Sequence, residues 1–329
     1  MARYPKFINQ VLVPAADPKF LAVDLFAGCG GLALGFEAAG IATIGFEKDA
    51  DACATYCHNL HGACIETVLT PQSDLPDCDI LIGGPPCQPF SVGGHQNGLK
   101  DSRDGFPAFI AAVRRLKPRL WLFENVRGML YGNKWYLDQI LEELRGLGYE
   151  VDMRLMTAVN FNVPQKRERL VVVGHNGGFA FPAPQSQVWT AGAALEDMLY
   201  ITPPESKFLT PSMDRYVENY ERASACVRPR DLHLDQPSRT LTCRNLAGAT
   251  GDMQRIRLPD GRRRRLLIRE AARLQSFPDH FEFCGSEGSV FNQIGNAVPP
   301  MFAWSLAQSV VQHLERSSRP KKTKQKAYA

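Results

Sequence analysis

No apolar run in the chain reaches the length that spans a bilayer. The opening residues, MARYPKFINQ, match neither a secretory signal nor a transit peptide. The nine cysteines are odd in number and scattered, without the spacing of a disulfide framework. Reduced thiols in a cytosolic compartment are the expectation. The formal net charge is only +4, so overall charge does not point to a polyanionic partner. No internal repeat is present. These absences exclude a membrane-spanning helix and argue against a small disulfide-stapled secreted domain. What remains is a globular protein: 44% of residues are hydrophobic and 22% charged. Its 329 residues suffice for one large domain and a smaller one. The cations are not evenly spread. Arginine is dense from Arg228 to Arg269, and lysine from Lys321 to Lys326.

The first half alternates strand-like and helix-like segments. Apolar runs stand at Leu21–Phe26, Ile41–Glu47, Asp79–Gly84, Arg119–Asn125 and Arg169–Gly174, with helical patterns between several of them. That order predicts an α/β fold, a doubly wound, mostly parallel sheet with helices on both faces. Ligands of such sheets sit at the carboxyl ends of the strands. Asp24, Glu47, the Gly83–Cys87 loop and Glu124 all fall there. From Pro182 to Pro237 the texture turns proline-rich and polar. RIRLPDGRRRRL then reads as a hairpin turning at Asp260-Gly261. Ile268–Gln275 and Met301–Leu314 read as helices, and Ser317–Ala329 as a basic, flexible tail.

Asp24-Leu25-Phe26-Ala27-Gly28-Cys29-Gly30-Gly31 joins a strand to a helix, so a ligand could approach the helix N-terminus closely. Gly28, Gly30 and Ala33 also fit a dinucleotide-binding pattern. Nicotinamide and adenosylmethionine sites are not separated by these features. Asp24 leans toward adenosylmethionine, whose ammonium group needs a nearby carboxylate or carbonyl. Gly83-Gly84-Pro85-Pro86-Cys87-Gln88-Pro89-Phe90-Ser91 follows the third run directly. Two prolines stiffen the backbone and present a thiol at a strand end. Such a thiol is a candidate nucleophile if positive charge favours its thiolate.

The chain here resembles the cytosine-C5 DNA methyltransferase family. The cysteine loop is similar to the family's catalytic loop. Glu124-Asn125-Val126, Gln165-Lys166-Arg167-Glu168-Arg169, Arg239-Thr240-Leu241-Thr242 and Gly295-Asn296-Ala297-Val298-Pro299-Pro300 match further motifs in the family's order. The resemblance implies a Rossmann-like methyltransferase fold using S-adenosylmethionine (SAM) as methyl donor, with no metal. It implies Cys87 as nucleophile toward cytosine C6 and Glu124 at N3 and the exocyclic amine. It implies Arg167 at the ring oxygen and Arg169 supporting the loop or a phosphate. The implied cofactor residues are Asp24, Phe26, Ala27, Gly28, Gly30, Gly31, Leu32, Glu47, Ile65, Pro86, Asn296 and Ala297. Where the family usually carries an acid for the adenine amine, this chain reads Cys64-Ile65-Glu66, which leaves that contact open.

Expected domains are a catalytic, SAM-binding unit over 1–181, a small, irregular target-recognition domain over 182–285, and a return over 286–329 ending in the basic tail. The expected partner is double-stranded DNA, bound between the domains by a monomer, its target base flipped out. The loop from Gln88 to Gly98 would close over it. Without an appended regulatory domain, the architecture suggests a cytoplasmic enzyme, bacterial or phage-encoded, of a restriction–modification system, with a cognate restriction endonuclease making no stable contact. The RNA-directed branch typically carries a Cys-Phe-Thr signature that is absent here. Arg262–Arg265 are read as phosphate contacts. Cys53, Cys57, His58, His61 and Cys64 are read as packing on the sheet, since their spacing is not that of a zinc knuckle.

Overall fold

The computed structural model describes residues 3–86, 104–223, 225, 230–247 and 251–317. Helix α1 (Arg3–Val11) precedes an alternating series: β1 (Phe20–Leu25), α2 (Gly31–Ala38), β2 (Ile41–Glu47), α3 (Ala50–Asn59), β3 (Cys64–Glu66), β4 (Ile80–Gly83), α4 (Phe106–Leu116) and β5 (Leu120–Val126). Then come α5 (Lys134–Gly146), β6 (Glu150–Thr157), the short β7 (Gln165–Lys166) and β8 (Glu168–His175). The main sheet has seven strands in the order β3-β2-β1-β4-β5-β8-β6. The first five are parallel, while β8 runs antiparallel to both its neighbours.

The continuous apolar runs are explained by burial on both faces. Along β4, Ile80 and Ile82 join one core cluster and Leu81 the other; along β5, Leu120 and Leu122 oppose Trp121 and Phe123. One face is covered by α4 and α5, whose Phe106, Phe109, Leu137 and Ile140 pack there. The other is covered by α1, α2 and the C-terminal helices. Strand β6 is not visible in the sequence pattern. It is an edge strand with mostly exposed side chains, so EVDMRLMT carries no apolar run.

The second half contributes α6 (Ala191–Leu195), α7 (Pro211–Ala223), β9 (Ser238–Arg239), α8 (Cys243–Ala247), β10 (Arg255–Arg257), β11 (Arg263–Arg265), α9 (Ile268–Leu274), α10 (Glu287–Asn296) and α11 (Pro300–Ser317). The hairpin forms as expected, β10 pairing antiparallel with β11. The chain rejoins the main core well before residue 286. Ala271, Ala272, Leu274, Phe277 and Phe281 share one core cluster with Tyr4, Phe36 and Phe302, and so do Trp189, Ala194 and Leu195.

The arginine run is corrected by the structure. Arg264 is fully buried in a bidentate pair with Glu270, and Arg263 is buried against Asp214. Exposed Arg262 pairs with Asp260 within its own turn. These guanidiniums cannot all be free for phosphates, because β11 is covered on both sides: Arg263 is held by Asp214 of α7 and Arg264 by Glu270 of α9.

Candidate active site

The carboxyl ends of β1, β2, β4 and β5 open into a cleft of about 1060 Å³. Asp24 is on β1, an inner strand, with only 1% of its surface exposed. Neither of its carboxylate oxygens meets a hydrogen-bond donor among the described residues. Burial pushes its pKa well up, and the nearby Glu47 and Glu124 push it further. A buried acid left in this state is costly unless a ligand supplies the counter-charge.

Past β1 the backbone turns sharply. Phe26 itself adopts a left-handed φ of 61°, an unusual conformation for a non-glycine residue, at the cleft wall. Gly30, with φ 87°, caps α2, a position where a side chain would also strike Leu60 and Tyr56. Glu47, ending β2, clamps the turn. Its Oε2 accepts from Gly28 N at 2.9 Å, and its Oε1 from Lys48 N and Asp49 N at 2.8 and 2.9 Å. Three of roughly four carboxylate acceptor positions are thus filled by backbone, leaving about one for a ligand hydroxyl.

Opposite stands Glu124 on β5. Arg169 Nε lies 3.2 Å from its Oε2, and both side chains are largely buried. The contact is an ion pair without hydrogen-bond alignment, so Oε2 meets no donor among the described residues. Gly84 faces the same carboxylate. A Cβ there would lie 3.0 Å from Glu124 Oε1, so the lack of a side chain leaves the acid room. The neighbouring Asn125 donates from Nδ2 to Pro85 O at 2.9 Å and so ties the Pro85-Pro86 segment to β5. Cys87 is the next residue in the chain; it and the loop from Gln88 to Gly98 lie outside the described residues.

The Gln165–Arg169 motif divides its labour differently from expectation. Arg167 does not line the cleft. It is 1% exposed, and its Nη1 and Nη2 donate to Leu241 O at 2.8 Å and Gly295 O at 3.2 Å. Burial pushes its pKa down, with the neighbouring Arg169 charge acting in the same direction. Gln165 accepts from Leu241 N at 2.9 Å and donates to Leu274 O at 3.2 Å. These residues clasp the later motifs to the sheet. Arg169, two residues on, is the guanidinium that reaches the cleft. Regular strand alternation would put residues two apart on one face; the break at Arg167 between β7 and β8 is what separates the two arginines.

Of the other expected cofactor residues, Ala27, Gly28, Gly31, Leu32, Pro86, Asn296 and Ala297 line the cleft. Gly30 and Ile65 do not. Ile65 is on the edge strand β3 and 45% exposed; Thr67, Val68 and Leu69, just beyond, form that wall instead. Cys243 was not anticipated. It lines the cleft and its Sγ donates to Asn296 Oδ1 at 3.0 Å. Only tertiary contact between α8 and α10 reveals this. Among the described residues, no group of three or more His, Cys, Asp or Glu side chains could hold a metal ion, and no helix is long and apolar enough to cross a membrane.

The profile of the C-5 cytosine-specific DNA methylases matches residues 20–312. The chain belongs to this family. It is 56% identical over 323 residues to the Type II methyltransferase M.AplI of Arthrospira platensis, covering 96% of this chain and 94% of that protein. It is 34% identical to the Type II methyltransferase M.NgoFVII of Neisseria gonorrhoeae, covering 93% and 90%. The fold is similar to that of a Spodoptera frugiperda DNMT2 mutant, with TM-score 0.68 at 17% identity over 89% of this chain and 100% of the other. The methylase is therefore a DNA cytosine-5 methyltransferase of the SAM-dependent, Rossmann-like class.

The cleft fits that donor. A sulfonium and an ammonium group are cationic, and the wall offers Asp24, whose carboxylate meets no hydrogen-bond donor among the described residues, together with Glu47. Asp24→Asn is expected to weaken SAM binding at least about tenfold, the loss of one charge-assisted contact. The same change should stabilise the ligand-free methylase. A folded pKa above the unfolded value, near 3.9, means the folded state holds the proton more tightly. That contribution is full below the unfolded pKa and is lost as pH rises toward the folded one. Thermal unfolding from pH 4 to 8 should show the variant gaining on the parent as pH increases. An affinity for SAM equal to the parent's would reject the assignment.

Proposed function

We propose that this methylase is the modification component of a Type II restriction–modification system, methylating C5 of a flipped cytosine in one double-stranded sequence through a covalent Cys87–C6 adduct. The single observation that carries the site is the meeting of Asp24, Glu124 with Arg169, and the Pro85-Pro86 segment around one cleft. The strong likeness to Type II methyltransferases over the whole chain supports the biological setting.

SAM, when bound, supplies an electrophilic methyl group on sulfur. Asp24, Glu47, Asn296 and the backbone of the Phe26–Leu32 turn would hold it. Cytosine C5 is a poor nucleophile until the ring is activated. The Cys87 thiolate adds to C6, and the displaced electron pair moves into the ring toward N3. Glu124 holds N3 and the amine, donating a proton as that charge develops. Arg169 keeps the acid oriented and, from the same side, reaches the ring oxygen. Loss of the C5 proton after transfer restores the double bond and expels the thiolate.

The target carbon is shielded in a duplex, so the base must leave the stack, at about a few kcal/mol. The hairpin region between α6 and α9, with exposed Arg244, Arg257 and Arg262, is the surface assigned to recognition. A second cavity of about 620 Å³ shares Val126 and Arg169 with the cleft and is lined by Arg127, Lys166 and Thr240, which suits a backbone phosphate beside the flipped nucleotide. One chain carries both surfaces, which supports an enzyme that acts as a monomer.

The test is transfer of labelled methyl from SAM to unmethylated mixed-sequence duplex DNA. Label should appear as 5-methylcytosine at one sequence. In Cys87→Ala it should fall by about 10³-fold or more, as expected for loss of a nucleophile. Undiminished transfer in the variant would reject the nucleophile, and label confined to RNA would reject the substrate.

A further inference from the structure

Three thiols meet at the rim of the sheet beside the cleft. Cys53 and Cys57 are four residues apart and share one face of α3. That face packs on Cys64, the first residue of β3. Cys57 Sγ accepts from Cys64 N at 3.2 Å and lies 3.7 Å from Cys64 O, while Cys53 Sγ donates to the same carbonyl at 3.3 Å. Cys53 is buried, Cys64 half-buried and Cys57 exposed. The helix that carries two of them also walls the cleft, and so does the segment that follows the strand carrying the third. Asp51 and Ala52 of α3 line it from one side, and Thr67, Val68 and Leu69 continue from β3.

We infer that Cys57 and Cys64 form a reversible disulfide whose closure weakens SAM binding; this rests on the cofactor reading above. The oxidant class is a small-molecule disulfide. The Cys57 thiolate attacks one of its sulfurs, the reagent's S–S bond breaks, and one half leaves as a thiolate that takes up the proton Cys57 lost. The Cys64 thiol then gives its proton to the departing half as its sulfur attacks Cys57 Sγ in the mixed disulfide, and the second half leaves as a thiol. Two protein thiols are oxidised and one small disulfide is reduced to two thiols. Exposure sets the order. Burial pushes the Cys53 and Cys64 thiols up, so neither attacks a reagent in solvent first.

A sulfur–sulfur bond of about 2.0 Å must replace the present N–H···S contact at Cys64. The element that gives way is β3. It is three residues long, lies at the sheet edge and pairs only with β2. Thr67–Leu69 follow directly, so a shift of β3 carries the cleft wall with it.

The experiment uses the full chain carrying Cys87→Ala, so that the proposed nucleophile does not consume oxidant. The protein is titrated with oxidised glutathione, its disulfides are mapped by mass spectrometry, and SAM binding is measured calorimetrically before oxidation, after it, and after reduction with dithiothreitol. The expected result is a Cys57–Cys64 linked peptide, SAM affinity lower by about tenfold, within the ordinary range of coupling between two sites, and full recovery on reduction. Adding Cys57→Ser should abolish the response. A bridge mapping to Cys53–Cys57 or Cys53–Cys64, no bridge at all, or a bridged protein with unchanged affinity would overturn the inference. A reduced protein that fails to bind SAM would remove the cofactor reading, and the regulatory inference with it, even if the bridge forms.

Discussion

Glu124→Gln is expected to lower methyl transfer by about 10²–10⁴-fold, the range supplied by a positioned proton donor. SAM affinity should change by less than about twofold, because the interaction lost is one made with the reacting base and not with the donor. The carboxylate stands on β5 at the cleft, with Gly84 leaving space at Oε1 and Arg169 Nε 3.2 Å from Oε2. Glutamine preserves the shape but cannot give up a proton to N3. Single-turnover transfer on saturating duplex separates this from slow product release. Arg169→Ala is a useful companion, since it strips the acid of its neighbouring charge while leaving the carboxyl in place. A loss below about tenfold for Glu124→Gln would remove Glu124 from the chemistry and leave it a binding residue.

Arg264→Ala is expected to destabilise the fold by about 3–5 kcal/mol, the cost of leaving one member of a buried ion pair uncompensated. Arg264 Nη1 and Nη2 each lie 2.7 Å from a Glu270 oxygen, and both side chains are fully buried. Glu270 also accepts from Leu267 N at 2.8 Å, which closes the first turn of α9. Losing the arginine therefore strands an acid that also organises a helix start. Urea denaturation should show the loss. The paired change Arg264→Met with Glu270→Leu should recover much of it, because replacing a whole buried pair by apolar groups is often neutral. If Arg264→Ala instead left stability unchanged and flattened the salt dependence of DNA binding, the phosphate role read from the arginine run would stand after all.

The difference between those two readings of Arg264 shows where sequence reasoning stops. A run of four arginines is a statement about composition. Which of them meets water depends on the pairing of β10 with β11 and on the helix that packs behind it. The Gln165–Arg169 motif behaves alike at the site. Both arginines were legible as site positions, but not their contacts: Arg167 holds the carbonyls of Leu241 and Gly295, far away in the chain, and Arg169 meets Glu124. Ile65 is a similar case: its side chain stands exposed on the edge strand, and the cleft wall there is built by Thr67, Val68 and Leu69 just past it.

The sequence by itself determined the parallel α/β order, because strands buried on both faces must be apolar throughout, and it determined the glycine turn and the strand-end acids, because their chemistry needs those residue types close together in the chain. It also identified the family, through motifs spread over nearly the whole length. Tertiary structure alone decided the antiparallel β8 and its edge partner β6, the return of α9 to the main core, the clasp made by Arg167, and the approach of Cys243 to Asn296 and of Cys57 to Cys64. Each of these depends on partners brought together by packing, and neither residue type nor local spacing records which surfaces will meet.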